Sequence, residues 1–124
     1  MAKKILIADD EANIVVALEF LFQKSGYEVK VVADGEEVLR QLKSFAPDLV
    51  LLDVMMPQVS GYEVCQRMRS SPEWRRIKIV MLSAKGREVE VSKGMSLGAD
   101  LYVTKPFSNT ELVATINDLL SRSG

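Results

Sequence analysis

Histidine is absent from this 124-residue chain. Without an imidazole it cannot carry phosphohistidine, use histidine as a general base or build a histidine-based metal site. Any phosphoryl group it handles must come from another molecule and land on a different side chain. Cysteine is nearly absent too. Cys65 stands alone, which excludes an internal disulfide and reads as a small buried apolar residue. No apolar run approaches the roughly 20 residues of a membrane span. Met1-Ala2-Lys3-Lys4 leads straight into a strand pattern instead of a signal peptide. A cytoplasmic protein with no membrane contact is expected. Sixteen lysines and arginines face 17 acids, for a net charge of -1, so the basic face typical of nucleic-acid binding is not expected.

The rest of the composition, 48% hydrophobic and 27% charged, is that of one ordinary globular domain spanning 1–124. Short β-rich apolar runs alternate five times with amphipathic stretches. Strands are expected at 4–9, 28–33, 48–53, 77–83 and 100–104. The third and fourth are nearly continuous apolar runs, as central parallel strands covered on both faces require. Helical spacing links Ile14, Val15, Leu18, Leu21 and Phe22, and again Leu112, Val113, Ile116, Leu119 and Leu120. Ser60 with Glu63 and Ser108 with Glu111 have capping-box spacing, and Asp34 suits an N-cap. Gly26, Gly35, Gly61 and Gly98 are read as turn residues. The stretch 86–97 contains Gly86 and Gly94 and a patchy apolar face of Val89, Val91, Met95 and Leu97. A helix of low stability is expected there. Five β/α units in a row predict an α/β fold, a doubly wound five-stranded parallel sheet with helices on both faces.

Each of four strands ends in a polar residue or pair: Asp9-Asp10, Asp53, Ser83 and Lys105-Pro106. In an open parallel sheet the carboxyl ends of the strands share one edge, where ligands bind. Three carboxylates, a hydroxyl and an ammonium would therefore meet in one crevice. That donor set suits magnesium-dependent phosphoryl transfer onto an aspartate. Asp53 closes the most apolar strand, so its carboxylate should be fixed in direction and partly desolvated. Asp9 and Asp10 could simply complement a helix dipole, yet that does not explain two acids facing a third. Such crowding is costly unless a cation neutralises it. Magnesium prefers oxygen ligands, few carboxylates and several waters, which suits Asp10 and Asp53 as ligands. Glu11 reads as a solvated helix-start residue.

The segments Ile5 to Glu11, Asp48 to Pro57, Gly61-Tyr62-Glu63, Met81 to Ala84 and Gly98 to Phe107, in order and correctly spaced, resemble the receiver (response regulator) domain of bacterial two-component signalling. The resemblance runs end to end and implies the flavodoxin-like strand order 2-1-3-4-5. It implies Asp53 as phospho-acceptor and Mg²⁺ as cofactor, held by Asp10, Asp53 and the Met55 backbone carbonyl, with Asp9 acting through water. It implies a cis Lys105–Pro106 bond, with Lys105 pairing to Asp53 and then to the phosphoryl oxygens. Ser83 would bond a phosphoryl oxygen and Tyr102 would turn inward, changing the face made of the fourth helix, fifth strand and last helix. Met55, Ala84 and Lys85 would tune loss of the phosphoryl group. The implied partners are a sensor histidine kinase or His-phosphotransfer protein and a downstream effector, and a phosphorylation-dependent dimer is compatible with this.

Other classes fit less well. A haloacid-dehalogenase-type phosphatase needs a second aspartate two positions after the nucleophile, where this chain has Met55. A flavodoxin-type FMN carrier needs a phosphate-binding loop where Asp9-Asp10-Glu11 would repel phosphate. A phosphate-independent pseudo-receiver acting only as an interaction module is disfavoured by the complete set Asp10, Asp53, Ser83 and Lys105. The expected protein is a switch that catalyses its own aspartyl phosphorylation and dephosphorylation, not a metabolic enzyme, with no effector domain in this chain. Trp74, in a polar stretch before the fourth strand, is expected at the far end of the sheet as edge packing.

Overall fold

A computed structural model describes residues 2–56, 59–84 and 88–122. Five strands and five helices alternate: β1 (Lys4–Ala8), α1 (Ala12–Lys24), β2 (Glu28–Val32), α2 (Gly35–Ser44), β3 (Leu49–Asp53), α3 (Gly61–Ser70), β4 (Lys78–Ser83), α4 (Glu88–Ser96), β5 (Leu101–Thr104) and α5 (Asn109–Arg122). The strands form one parallel sheet in the order β2-β1-β3-β4-β5. Fold class and topology are as expected, and each of the five strands is one residue shorter at one end than the apolar pattern suggests. Gly86 and Lys85 lie outside the described residues, so α4 is described from Glu88 onward.

Strand periodicity divides the apolar residues between two cores. Leu6, Ala8, Val50, Leu52, Ile79 and Met81 point to the side covered by α2, α3 and α4. Ile5, Ile7, Leu49, Leu51, Val80 and Leu82 point to the side covered by α1 and α5. A residue shift of one would exchange the two sets, so the register is firmly fixed. β3 is buried along its whole length, which explains why its sequence does not alternate. Among the described residues no helix is long and apolar enough to cross a membrane.

The caps follow the side chains read from the sequence. Glu37 N–H donates to Asp34 Oδ1 at 2.8 Å and Glu63 N–H to Ser60 Oγ at 3.3 Å. Glu111 N–H donates to Ser108 Oγ at 3.3 Å. Gly26 and Gly98 do turn the chain, with φ of 97° and 110°. Gly35 and Gly61 do not: each is the first residue of a helix. What they supply is close approach. A Cβ on Gly61 would lie 2.5 Å from the Asp53 carbonyl oxygen and 2.8 Å from Val54 Cα, both rigid backbone atoms. Gly61 N–H donates to the Val54 carbonyl at 3.0 Å, so the start of α3 is pressed against the end of β3.

The opposite edge of the sheet is closed by Arg69. Its guanidinium donates to the carbonyls of Gly98 (2.8 Å), Arg75 (2.9 Å) and Ile77 (2.7 Å) and pairs with Asp100 Oδ2 at 2.8 Å. Asp100 also accepts from Ile79 N–H at 2.8 Å. This knot ties α3, the turn before β4 and the turn before β5 together. Trp74 is half-buried beside it against the α2–α3 core, as edge packing. Replacing Arg69 strands several carbonyls and a partly buried carboxylate. Arg69→Met is expected to lower unfolding free energy by about 2 kcal/mol in urea, while phosphoryl acceptance at the far edge persists in the folded fraction. An unchanged midpoint would contradict this account of the knot.

Candidate functional site

Parallel strands aim their C-terminal residues at one edge, and the register decides which residues meet. Ala8 pairs with Leu52, so Asp9 and Asp53, the next residues along, emerge side by side. Asp53 pairs with Leu82 and Ser83 with Thr104, which adds Ser83 and then Lys105 to the same edge. The peptide bond Lys105–Pro106 is cis, as the resemblance implied.

The carboxylates of Asp9, Asp10 and Asp53 offer ligand oxygens that all lie within 4.8 Å of one another. Asp9 and Asp53 are buried and Asp10 is exposed. The crevice is therefore sealed at its floor and open at the Asp10 side. Hard, anionic oxygens in this number fit a magnesium ion that keeps some of its waters.

Each buried carboxylate is oriented by its own loop. Met55 N–H donates to Asp53 Oδ1 at 3.0 Å and Glu11 N–H to Asp9 Oδ1 at 2.9 Å. Both are two-residue aspartate turns, which leave the second oxygen of each carboxylate facing the crevice. Met55 sends its own side chain into solvent, 59% exposed. Ser83 is fully buried at the crevice wall, and its carbonyl accepts from Lys105 N–H at 2.8 Å. Ala84 is exposed beside it, and Lys85 lies outside the described residues.

Lys105 is a local counter-charge: it faces Asp53, as the resemblance implied, and lies closer still to two other acids. Its ammonium lies 3.1 Å from Asp9 Oδ2, 2.5 Å from Glu11 Oε1 and 3.6 Å from Asp53 Oδ2. Asp53 is thus the most distant of the three. Glu11, read from sequence as merely solvated, bridges to the ammonium across the mouth of the crevice. It occupies the N-cap position of α1 but makes no side-chain cap bond, which leaves its carboxylate free to reach back. Glutamate is an unusual residue at an N-cap, and that misfit was the available signal.

The electrostatics follow from this crowding. Burial, then the charges of Asp9 and Asp10, raise the Asp53 carboxyl from 3.8 to about 6, against the lowering effects of the Met55 N–H and Lys105. Burial acts against the Lys105 ammonium, but hydrogen bonds to Glu11 and Asp9 and the charge of Asp53 outweigh it and raise its pKa. Lysine stays charged while Asp53 is held near its titration point, a condition that a bound cation would relieve.

Tyr102, the other expected switch residue, sits on β5 away from the carboxylates. Its ring is half-buried against the α2–α4 core, lying under α4 at Gly94. Two residues of the patchy apolar face of α4, Val89 and Met95, are 67% and 44% exposed. The buried contact of α4 is made by Gly94, because only a residue without a side chain lets the helix lie on the Tyr102 ring.

A family profile described as the response regulator receiver domain matches residues 5–117. The alkaline phosphatase synthesis transcriptional regulatory protein PhoP of Bacillus subtilis (strain 168) is 45% identical over 99% of this chain and 50% of its own length. The chain spans about half the length of the curated relatives it matches. Among solved structures, the BeF3-activated DrrB receiver domain superposes with a TM-score of 0.88 at 34% identity, covering 98% of this chain and 99% of that one. The receiver domain of sensor histidine kinase PA1611 from Pseudomonas aeruginosa PAO1, with magnesium coordinated in its active-site cleft, gives 0.87 at 26% identity, covering 98% and 99%. The ordered motifs, the β2-β1-β3-β4-β5 sheet and the aspartate crevice at its edge agree with these matches: the chain belongs to the response regulator receiver domain family of two-component signalling.

Proposed function

We propose that this domain is a phosphorylation-activated switch that takes a phosphoryl group from the phosphohistidine of a partner kinase or phosphotransfer protein onto Asp53. The observation that carries this reading is the convergence of Asp9, Asp10 and Asp53 within 4.8 Å beside the Lys105 ammonium. A merely structural edge would have no reason to tolerate such repulsion.

The free Asp53 oxygen attacks phosphorus in line, an O–P bond forms, and the P–N bond to the partner's imidazole breaks. The departing nitrogen keeps its electron pair and is protonated. Asp53 is positioned for attack because the Met55 N–H fixes its other oxygen. Lys105 pairs with the transferred phosphoryl oxygens once it lets go of the acids that now hold it, and Ser83 donates its hydroxyl to one of them. Asp10, Asp53 and the Met55 carbonyl would hold a magnesium ion in this reading, with Asp9 acting through water. Bound magnesium supplies charge neutralisation at the phosphoryl oxygens. Water attack on the acyl phosphate resets the state. The output is a change at the α4-β5-α5 face as Ser83 and Tyr102 respond, read by a downstream effector protein or domain.

The direct test is intact mass spectrometry after incubation with acetyl phosphate, with and without Mg²⁺. A metal-dependent gain of one phosphoryl group, absent in Asp53→Asn, is expected. No gain under any condition would leave a phosphate-independent interaction module as the better account.

A second test uses stability alone. Asp53 keeps its proton to about pH 6 in the folded state but only to 3.8 in the unfolded chain. Between those values the folded state binds more protons, so its stability falls as pH rises through the window. Without divalent cations, Asp53→Asn should be more stable than the parent by on the order of 2 kcal/mol at pH 7, and the gap should close near pH 4. Added Mg²⁺ should stabilise the parent more than the variant. Urea titrations at both pH values decide this, and a parent as stable as the variant at pH 7 without metal would overturn the crowded-carboxylate account.

A further inference from the structure

Glu11 is held at its backbone and left loose at its tip. Its N–H donates to Asp9 Oδ1 at 2.9 Å, and its carbonyl accepts from the Ile14 and Val15 N–H groups at 3.1 Å each, which starts α1. A serine or aspartate at this N-cap would fold its side chain onto the free N–H groups of the helix. The longer glutamate makes no such bond and reaches instead across the mouth of the crevice to Lys105 Nζ at 2.5 Å. Lys105 comes from the other wall, anchored by its N–H to the Ser83 carbonyl at 2.8 Å. The pair therefore spans the opening between the start of α1 and the end of β5.

A lysine ammonium has three protons to donate. One goes to Glu11 and one to Asp9 Oδ2 at 3.1 Å, while Asp53 Oδ2, at 3.6 Å, lies beyond hydrogen-bond reach. Drawing the ammonium onto oxygens carried by Asp53 requires one of those two contacts to lengthen. They differ in what release costs. The Asp9 side chain is fully buried, and a buried carboxylate stripped of its partner is strongly penalised. The Glu11 side chain is 55% exposed and returns to water, so its release costs little. Glu11 is the contact that yields.

We propose that Glu11 is a positioning residue that restrains Lys105 in the unmodified domain: its carboxylate holds the ammonium at the crevice mouth and so sets how readily Asp53 takes up a phosphoryl group. The inference rests on the phosphorylation-switch reading above. The restraint stabilises the empty state alone, so losing it favours the occupied state by the same factor. Formation of the phosphorylated domain should quicken. Its lifetime should not change, because the ammonium has by then already left Glu11.

The test compares the parent with Glu11→Gln and Glu11→Asp. Affinity for beryllofluoride, a phosphoryl mimic, is read by NMR titration at Mg²⁺ concentrations that saturate each protein. Uptake from acetyl phosphate and the later loss of the group are followed by intact mass. Glu11→Gln keeps the length of the side chain and removes its charge. Glu11→Asp keeps the charge but is one methylene shorter and a good N-cap, so its carboxylate turns to the N–H groups of α1. Both variants should gain about fivefold in beryllofluoride affinity and in uptake rate, the effect of one partly exposed ion pair, with the rate of phosphoryl loss unchanged. No gain in Glu11→Gln would overturn the restraint. A gain in Glu11→Gln that Glu11→Asp lacks would do the same, since only net charge at the mouth would then matter. So would a phosphoryl lifetime that shifts along with the uptake rate. A parent protein that neither binds beryllofluoride nor takes up phosphate would overturn the phosphorylation reading itself, and the restraint with it.

Discussion

Everything at the functional edge depends on one constraint: the sheet forces carboxylates together that would separate if they could. At an effective dielectric constant near 20, two unit charges about 5 Å apart repel by roughly 3 kcal/mol. Asp9, Asp10 and Asp53 make three such pairs within 4.8 Å, and Glu11 adds a fourth acid at the mouth. Among the described residues Lys105 brings one positive charge against these four acids, so it does not balance them by itself. The molecule responds in the two ways open to it. Backbone N–H groups of Glu11 and Met55 bond the buried carboxylates, and Asp53 is driven toward its protonated form. Both responses leave a deficit of positive charge among the described residues of an open crevice, which suits a bound cation.

Such an edge can exist because the remainder of the fold does not depend on it. The two apolar layers are complete without the strand-end residues, and the opposite edge is tied by Arg69 and Asp100 with bonds of 2.7 to 2.9 Å. The two ends of the sheet thus differ in kind. One is a satisfied hydrogen-bond knot joining three connections. The other is an unsatisfied charge cluster whose state can change without unfolding the domain.

The architecture was legible because strands and helices announce themselves by local period, and the crevice was legible because parallel strands put their C-terminal residues on one edge whatever the details. Less visible were contacts that depend on where long side chains reach. Glu11 and Lys105 are 94 residues apart and Arg69 and Asp100 are 31 apart, and no spacing rule links either pair. Gly35 and Gly61 looked like turns because glycine usually is one, whereas here it lets two backbones touch. The same confusion affected α4. Gly94 counted against the helix as a weak residue, yet it is the contact on which that helix rests, while Val89 and Met95, two members of its patchy apolar face, point outward.

That last exchange bears on the proposed output at this side of the molecule. A switch needs two settings that differ by only a few kcal/mol, because a ligand shifts an equilibrium by no more than its differential affinity. α1 and α5 bury full apolar stripes in a dry core and offer no second setting at that cost. α4, described over the nine residues Glu88–Ser96, rests on a glycine and an aromatic ring, and Val89 and Met95 of its apolar residues are exposed. Its ties to the rest include a hydroxyl–carbonyl bond of 3.3 Å and a lysine over a ring, contacts worth about 1 kcal/mol each. A rearrangement of that size is within reach of one new charge on Asp53, and Tyr62 touches both the loop where the charge would arrive and the helix that would feel it.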